Sequence, residues 1–138
     1  MPNYVDPEKE RFALFKGLDR DRPIHMLNLV RLKAEAIYED WTKTIGREVY
    51  AAYGRESLPV LQRVGGGVVW SGDFELTLIG SDSERWDIAF IAEYPSGQAF
   101  IDMLRDPEYR AVVKHRQASV ETSRLFRMRP KPAGLSFG

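Results

Sequence analysis

The sequence contains no cysteine. This absence excludes thiol catalysis, disulfide bonds and thiolate metal sites, and it suits a reducing cytoplasm. An excess of one charge is also missing, because 20 Lys and Arg residues balance 20 Asp and Glu residues. A chain without net charge has no overall field that draws it toward phosphate backbones or anionic lipid surfaces. We therefore expect neither nucleic acid nor a membrane as a partner.

Targeting segments and familiar catalytic signatures are missing as well. The first ten residues carry Asp6, Glu8 and Glu10 instead of an apolar stretch behind basic residues, so they do not match a signal peptide. No Gly-x-Ser-x-Gly or phosphate-loop lysine motif occurs, which leaves hydrolases and kinases without support. The two histidines, His25 and His115, are not spaced as metal ligands. We predict a cytoplasmic protein with no metal site and no cofactor.

The composition is that of an ordinary globular protein. The chain has 138 residues, of which 43% are hydrophobic and 29% charged. That length is common for one domain and allows a sizeable core without disulfide bonds or a structural metal ion. We predict a single domain over residues 1–138, with a core over about 24–128, an N-terminal helix over 7–17 and a loose tail over 130–138.

Capping residues and apolar periodicity predict four helices. Asp6 before Pro7 and Asp106 before Pro107 each combine a side-chain cap with a proline in the first turn. Ser96 can cap another helix. The longest helix is predicted over residues 46–64 from its three- to four-residue apolar spacing. It contains Pro59, which removes one backbone hydrogen bond, so we expect a kink or break near Ser57.

Four strand segments are also predicted, and they lie at residues 24–32, 68–79, 86–94 and 122–128. The second has two runs separated by Gly72 and Asp73, where a bulge or bend is expected. The order strand, helix, strand, strand, helix, strand is the split βαβ pattern of ferredoxin-like α+β folds, here with an extra N-terminal helix. The strands are apolar on both faces, so a second copy is expected to cover the open face and form a homodimer. The predicted fold is therefore a dimeric α+β barrel, with a cavity between the two sheets.

Six short motifs, taken in order, resemble the domain-of-unknown-function family DUF1330. They are Met26-Leu27-Asn28-Leu29, Tyr53-Gly54, Gly65-Gly66-Gly67, Glu93-Tyr94-Pro95-Ser96, Asp106-Pro107-Glu108-Tyr109 and Arg116. The resemblance implies membership of the dimeric α+β barrel superfamily, which includes cofactor-independent monooxygenases, muconolactone-type isomerases, haem-degrading enzymes and non-catalytic ligand binders. It leaves the activity open. Two positions depart from the family pattern: Ile79 stands where an acidic residue is frequent, and Phe100 and Met103 where tryptophan is frequent.

Arg116 is the strongest candidate for ligand binding. It shares a predicted helix face with Tyr109 and Val112. Because the guanidinium is permanently charged, it must either pair with an anion or reach the solvent. It could hold a substrate carboxylate. The alternative is a structural ion pair with Asp87 or Glu93, or a stem that lies over the core with its head in water.

The other candidates form two groups. Those suited to proton transfer are His25, Tyr53 and Tyr109, and those suited to substrate binding, besides Arg116, are Asn28, Trp70 and Trp86. Each has a structural alternative: Asn28 and His25 could pair within the fold, and the aromatic residues could simply be core. The resemblance also allows His115 to approach a haem iron, although its helical position favours surface exposure.

These observations predict a small-molecule-binding protein. It would act as a cofactor-independent oxygenase or isomerase on a small anionic or enolisable substrate. The alternative is a non-catalytic domain that binds a ligand or another protein.

Overall fold

The structure, a computed structural model, describes residues 2–134 and 136–137. These residues form four helices and six strands, which follow the chain as α1 (Lys9–Gly17), β1 (Ile24–Leu32), β2 (Glu35–Ile37), β3 (Lys43–Ile45), α2 (Gly46–Arg63), β4 (Gly67–Asp73), β5 (Ile88–Tyr94), α3 (Gly97–Arg105), α4 (Pro107–Ser119) and β6 (Val120–Met128). The predicted α+β fold is confirmed.

The main sheet is antiparallel, with the strand order β4-β5-β1-β6. Along the chain, helix α2 connects β1 to β4, and helices α3 and α4 connect β5 to β6. This strand order with these connections is the ferredoxin-like arrangement. Helices α2, α3 and α4 pack on one face, where Ile24, Met26 and Val30 are buried. The other face, which we call the open face, carries Leu27, Leu29, Ile91, Trp70 and Phe126, and no helix of the described chain covers it.

Local signals located several elements correctly. Strand β1 has the predicted bounds, as expected for a continuous apolar run in the middle of a sheet. The Ser96 hydroxyl accepts a hydrogen bond from the backbone N–H of Ala99 and caps α3. The Asp106 carboxylate accepts one from Glu108 and caps α4. Both predicted caps are confirmed.

The N-terminal helix differs from the prediction. Helix α1 begins at Lys9, and its N-cap residue, Glu8, makes no side-chain capping bond. Asp6 is not the cap, because its carboxylate accepts a hydrogen bond from the side chain of Gln117 at 3.3 Å. The segment before α1 runs along α4 and β6 instead of turning directly into the helix.

Helix α2 is continuous from Gly46 to Arg63, so of the predicted kink or break near Ser57 the break does not occur. Pro59 lies inside the helix and costs it one backbone hydrogen bond. The buried side chains of Tyr50, Val60 and Leu61 anchor the helix on both sides of this position. Packing therefore holds the helix where the local signal favours a break.

The segment after β4 also differs. The predicted second strand run does not exist, because β4 ends at Asp73, opposite Ile88, and residues 74–87 have no strand to pair with. The bulge lies between Val68 and Trp70, not at Gly72. The short hairpin β2–β3 was not predicted, since strands of three residues are too short to show periodicity.

The ends of the chain complete the description. Residues 129–134 form neither helix nor strand, and positions 135 and 138 of the predicted tail lie outside the described residues. Within the described part of the chain, no helix combines the length and the apolar character that a bilayer crossing requires.

Candidate functional site

A cavity of about 1130 Å³, which we call the central pocket, lies between the helix-covered face of the sheet and helices α1, α3 and α4. Its apolar wall includes Phe90, Phe100, Met103 and Leu104. This cavity lies within a single chain, on the helix-covered face, whereas the predicted cavity between two sheets would lie on the other face and remains a prediction. It exists because the helices do not fill the space over β6 and the neighbouring part of β1.

One side of the pocket is formed by helix α1 and by residues 2–8, which we call the N-terminal strap. The strap follows the edge strand β6. The backbone N–H of Ser123 donates to the Tyr4 carbonyl at 2.7 Å, and the Tyr4 N–H donates to the Thr122 hydroxyl at 3.0 Å. These bonds hold the beginning of the chain against its last strand.

Arg116, in the last turn of α4, is half-buried and lines the pocket. Its guanidinium donates to the Val5 carbonyl and, at 3.1 Å, to the Ser123 hydroxyl. The alternative of an ion pair with Asp87 or Glu93 is not realised. Asp87 accepts from the Leu32 N–H, and Glu93 contacts His25.

Tyr53 from α2 and Tyr109 from α4 meet in the pocket. Their hydroxyl oxygens are 2.8 Å apart, and their rings pack edge to face with centroids separated by 6.2 Å. Burial raises the pKa of both phenols, although the charge of Arg116 acts in the opposite direction. Both therefore stay protonated at neutral pH. Because one hydroxyl of the pair donates to the other, the accepting hydroxyl keeps its own proton for another acceptor.

Asn28 lies in the middle of β1 and faces the pocket beside Phe90. One N–H of its side-chain amide donates to the Met26 carbonyl at 3.0 Å. This bond is the structural pairing considered as the alternative role. The amide has further hydrogen-bonding capacity, since it carries two donors and an acceptor oxygen. Asn28, Tyr53, Tyr109 and Arg116 all line the central pocket.

The remaining candidates do not line it. His25 lies on the open face, where its Nε2 is 2.8 Å from the Glu93 carboxylate. Trp70 is also on the open face and is 52% exposed. Trp86 precedes β5 and stacks with the guanidinium groups of Arg31 and Arg124, at 5.5 and 5.2 Å. Conversely, sequence reasoning missed Ser123 and the strap. The alternation of Ser123, Leu125 and Arg127 along β6 could have indicated that Ser123 faces the pocket.

His115 is not on the surface as expected. It is half-buried, with Nδ1 2.7 Å from the Tyr38 hydroxyl and Nε2 3.2 Å from the Glu56 carboxylate. Both ring nitrogens are engaged in joining α4 to α2 and to the segment after β2, so neither is free to ligate an iron ion. No three His, Asp or Glu side chains group as a metal site would require anywhere in residues 2–134 and 136–137.

Comparison with known families and structures confirms the predicted resemblance. The family model described as domain of unknown function DUF1330 matches residues 36–127. The fold is that of RPA0582, a protein of unknown function from Rhodopseudomonas palustris, with 59% identity, a TM-score of 0.91 and coverage of 96% of this chain and 100% of that one. The methylated form of RPA0582 gives 60% identity and a TM-score of 0.92, over 97% and 100% of the two chains.

A more distant structure shares the fold alone. It is SnoaB, described as a cofactor-independent oxygenase from Streptomyces nogalater, with 15% identity, a TM-score of 0.54 and coverage of 83% of this chain and 99% of that one. No curated protein matches the chain.

Proposed function

This chain belongs to the DUF1330 family, and since that membership specifies no activity, we propose from the pocket itself that the protein binds a small anionic or enolisable molecule. The observation that carries the proposal is the grouping of Arg116, Tyr53 and Tyr109 on the wall of a largely apolar cavity. Mostly apolar cavities with a few convergent polar groups are typical of ligand sites.

The polar groups of the pocket suit an oxygen that carries negative charge. The guanidinium of Arg116 is always charged, and the phenols of Tyr53 and Tyr109 stay protonated because burial raises the pKa of each. Donors placed in advance around a carboxylate or an enolate oxygen stabilise that charge without reorganising. Asn28 adds an amide next to the same space.

Catalysis is the second candidate function, and the same donors favour it, because an enolate oxygen is what an oxygenase or isomerase of this kind must stabilise. The lining contains no histidine, and its carboxylates, Asp6 and Glu8, belong to the strap. The substrate would therefore need to ionise readily. Conversion of a bound compound, followed by mass spectrometry, separates this function from the alternative of non-catalytic binding, in which the ligand is recovered unchanged.

Filling part of the pocket should weaken ligand binding. We expect the fluorescent probe anilinonaphthalene sulfonate to bind the wild-type protein with enhanced emission, and Leu104→Trp to weaken that binding at least about tenfold, because the indole would occupy space on the pocket wall. Fluorescence titration measures the change. The matched control is Leu58→Trp, which adds the same ring at an exposed position of α2 outside the pocket. The proposal would be contradicted if both variants weakened probe binding equally, or if neither variant weakened it.

We also propose that the protein, as one domain, forms a homodimer through the open face. This face exposes Trp70 and Phe126 by 52% and 45%, a large apolar surface for a single chain. Its charges are arranged in a self-complementary way. Arg31 and Arg124 lie toward one end and Glu93 toward the other, so a two-fold axis brings opposite charges together.

The cysteine-free, charge-balanced composition supports a cytoplasmic location without nucleic-acid partners.

A charge at the centre of the open face should give a monomer. Ile91 lies between Leu27 of β1 and Trp70 of β4, so Ile91→Glu would bury an unpaired carboxylate in the interface. We expect analytical ultracentrifugation to show a dimer for the wild type and a monomer for this variant. The control, Ala51→Glu, adds the same charge at an exposed position of α2 and should leave the dimer intact. A wild-type monomer at micromolar concentration would overturn the dimer but not the pocket.

A further inference from the structure

Arg116 carries a positive charge that the chain does not neutralise. Its contacts are with the Val5 carbonyl and the Ser123 hydroxyl, which are both uncharged. Within residues 2–134 and 136–137, no carboxylate oxygen lies within 4 Å of its guanidinium nitrogens. A half-buried cation next to an apolar cavity is costly unless an anion joins it. The missing partner is therefore expected from outside the chain.

The rest of the lining has the same bias. Besides Arg116 it includes Arg11 and Arg127, whereas its carboxylates, Asp6 and Glu8, both lie on the strap. Arg11 is exposed, and Arg127 stacks on the Phe15 ring and donates to the carbonyls of Phe15 and Asp19 at the far end of the pocket. Arg116 is thus the position where a ligand's negative charge gains most.

The pocket is also elongated. Ser123, Leu125 and Arg127 face it from alternate positions of β6, so the floor measured along this strand is roughly 13 Å long. Arg116 contacts the Ser123 end. The other end is aromatic, with the rings of Phe15 and Phe100 5.0 Å apart and those of Tyr94 and Phe100 5.2 Å apart. One end therefore suits an anion and the remainder suits an apolar body.

We propose that the ligand is an amphiphilic monocarboxylate, whose carboxylate binds Arg116 and the Tyr53–Tyr109 hydroxyl pair and whose apolar body extends past Phe90 toward Phe100. This inference rests on the proposed function, because it assigns a ligand class to the same pocket. A guanidinium and a phenol can together satisfy both oxygens of one carboxylate, since charge-assisted hydrogen bonds are the strong ones. At the aromatic end the guanidinium of Arg127 is already engaged, because it stacks on the Phe15 ring and donates to the carbonyls of Phe15 and Asp19. A second anionic group of the ligand would therefore gain less there than at Arg116.

Isothermal titration calorimetry with decanoate and decanol tests the ligand class, because the two share an apolar chain and differ in charge. We expect the wild type to bind decanoate at least about tenfold more tightly than decanol. Arg116→Gln retains N–H donors for Val5 and Ser123 but removes the charge, and it should reduce the preference to less than about twofold. Arg116→Lys keeps the charge and should retain a clear preference for decanoate.

The matched control is Arg110→Gln, which makes the same substitution at an exposed position of the same helix, outside the pocket. It should leave the preference unchanged. Equal binding of decanoate and decanol by the wild type, or a preference that survives in Arg116→Gln, overturns the monocarboxylate assignment. If neither compound binds while the probe still binds in a way that Leu104→Trp blocks, the ligand class is wrong and the pocket function stands. If the probe also fails to bind, both fall.

Discussion

Raising the pH above about 10 should destabilise this protein steeply, because four buried phenols would have to ionise. Burial raises the pKa of Tyr50, Tyr53, Tyr94 and Tyr109 above the ordinary value of 10.0. In the unfolded chain the same phenols ionise near that ordinary value. Above it, the unfolded state therefore binds fewer protons than the folded state, and the free energy of unfolding falls as the pH rises.

The pH window follows from the direction of these shifts. The stabilisation is present in full below about pH 10 and is lost as the pH rises toward the raised pKa values of the folded state. Each phenol lowers the free energy of unfolding by up to about 1.4 kcal/mol per pH unit within that window. Even a fraction of that slope from several phenols is large beside a typical stability of about 5–15 kcal/mol.

Urea denaturation over a series of alkaline pH values measures this slope. Tyr109→Phe removes one buried phenol and should make the slope shallower by as much as about 1.4 kcal/mol per pH unit. Tyr4→Phe removes an exposed phenol and serves as the control. If both variants keep the wild-type slope, Tyr109 does not hold its proton in the folded protein.

Gly46→Ala should be among the most damaging small substitutions in the chain. A Cβ built at this glycine would lie 1.8 Å from the backbone oxygen of Lys33 and 2.9 Å from its carbonyl carbon. The backbone N–H of Gly46 also donates to the Ala34 carbonyl at 3.0 Å, so the two segments cannot separate without losing that bond. We expect a loss of roughly 2–4 kcal/mol in the free energy of unfolding, measured by urea denaturation.

The same helix provides a matched control of opposite sign. A Cβ at Gly54 would meet nothing within 4 Å, and Gly54 lies in the interior of α2. Gly54→Ala should therefore stabilise the protein by about 0.5–1 kcal/mol, because alanine loses less backbone entropy in a helix. A Gly46→Ala protein within about 0.5 kcal/mol of the wild type would show that the crossing of the two segments is looser than the distances indicate.

The elements that sequence reasoning located are those with strong local signals. The apolar run of β1 and the caps at Ser96 and Asp106 each depend on neighbouring residues alone. The strap could not be found in this way, because Tyr4 pairs with Ser123 and no periodicity links two positions so far apart. Helix α2 shows the opposite error, since a strong local signal at Pro59 is overridden by packing.

In the candidate site, too, the residues that were predicted correctly are those with a local signal. Tyr109 and Arg116 were placed on one helix face by their spacing, and the structure brings both to the central pocket. Trp70 shows what spacing cannot reveal. Two-residue alternation puts it on the same face as Val68, which lies opposite Ala92 on the helix-covered face. The bulge between them shifts the register, so Trp70 lies opposite Ile91 and points to the open face.

The strap has a consequence beyond the pocket. Strand β6 is at the edge of the sheet, and the backbone pairing of Tyr4 with Ser123 occupies part of its free hydrogen-bonding groups. A shortened chain that begins at residue 9 would present those groups to other molecules, together with the uncovered apolar interior. Such an edge is a template for strand-to-strand aggregation, so the strap covers part of an edge that would otherwise favour fibril-like association, in addition to forming one wall of the central pocket.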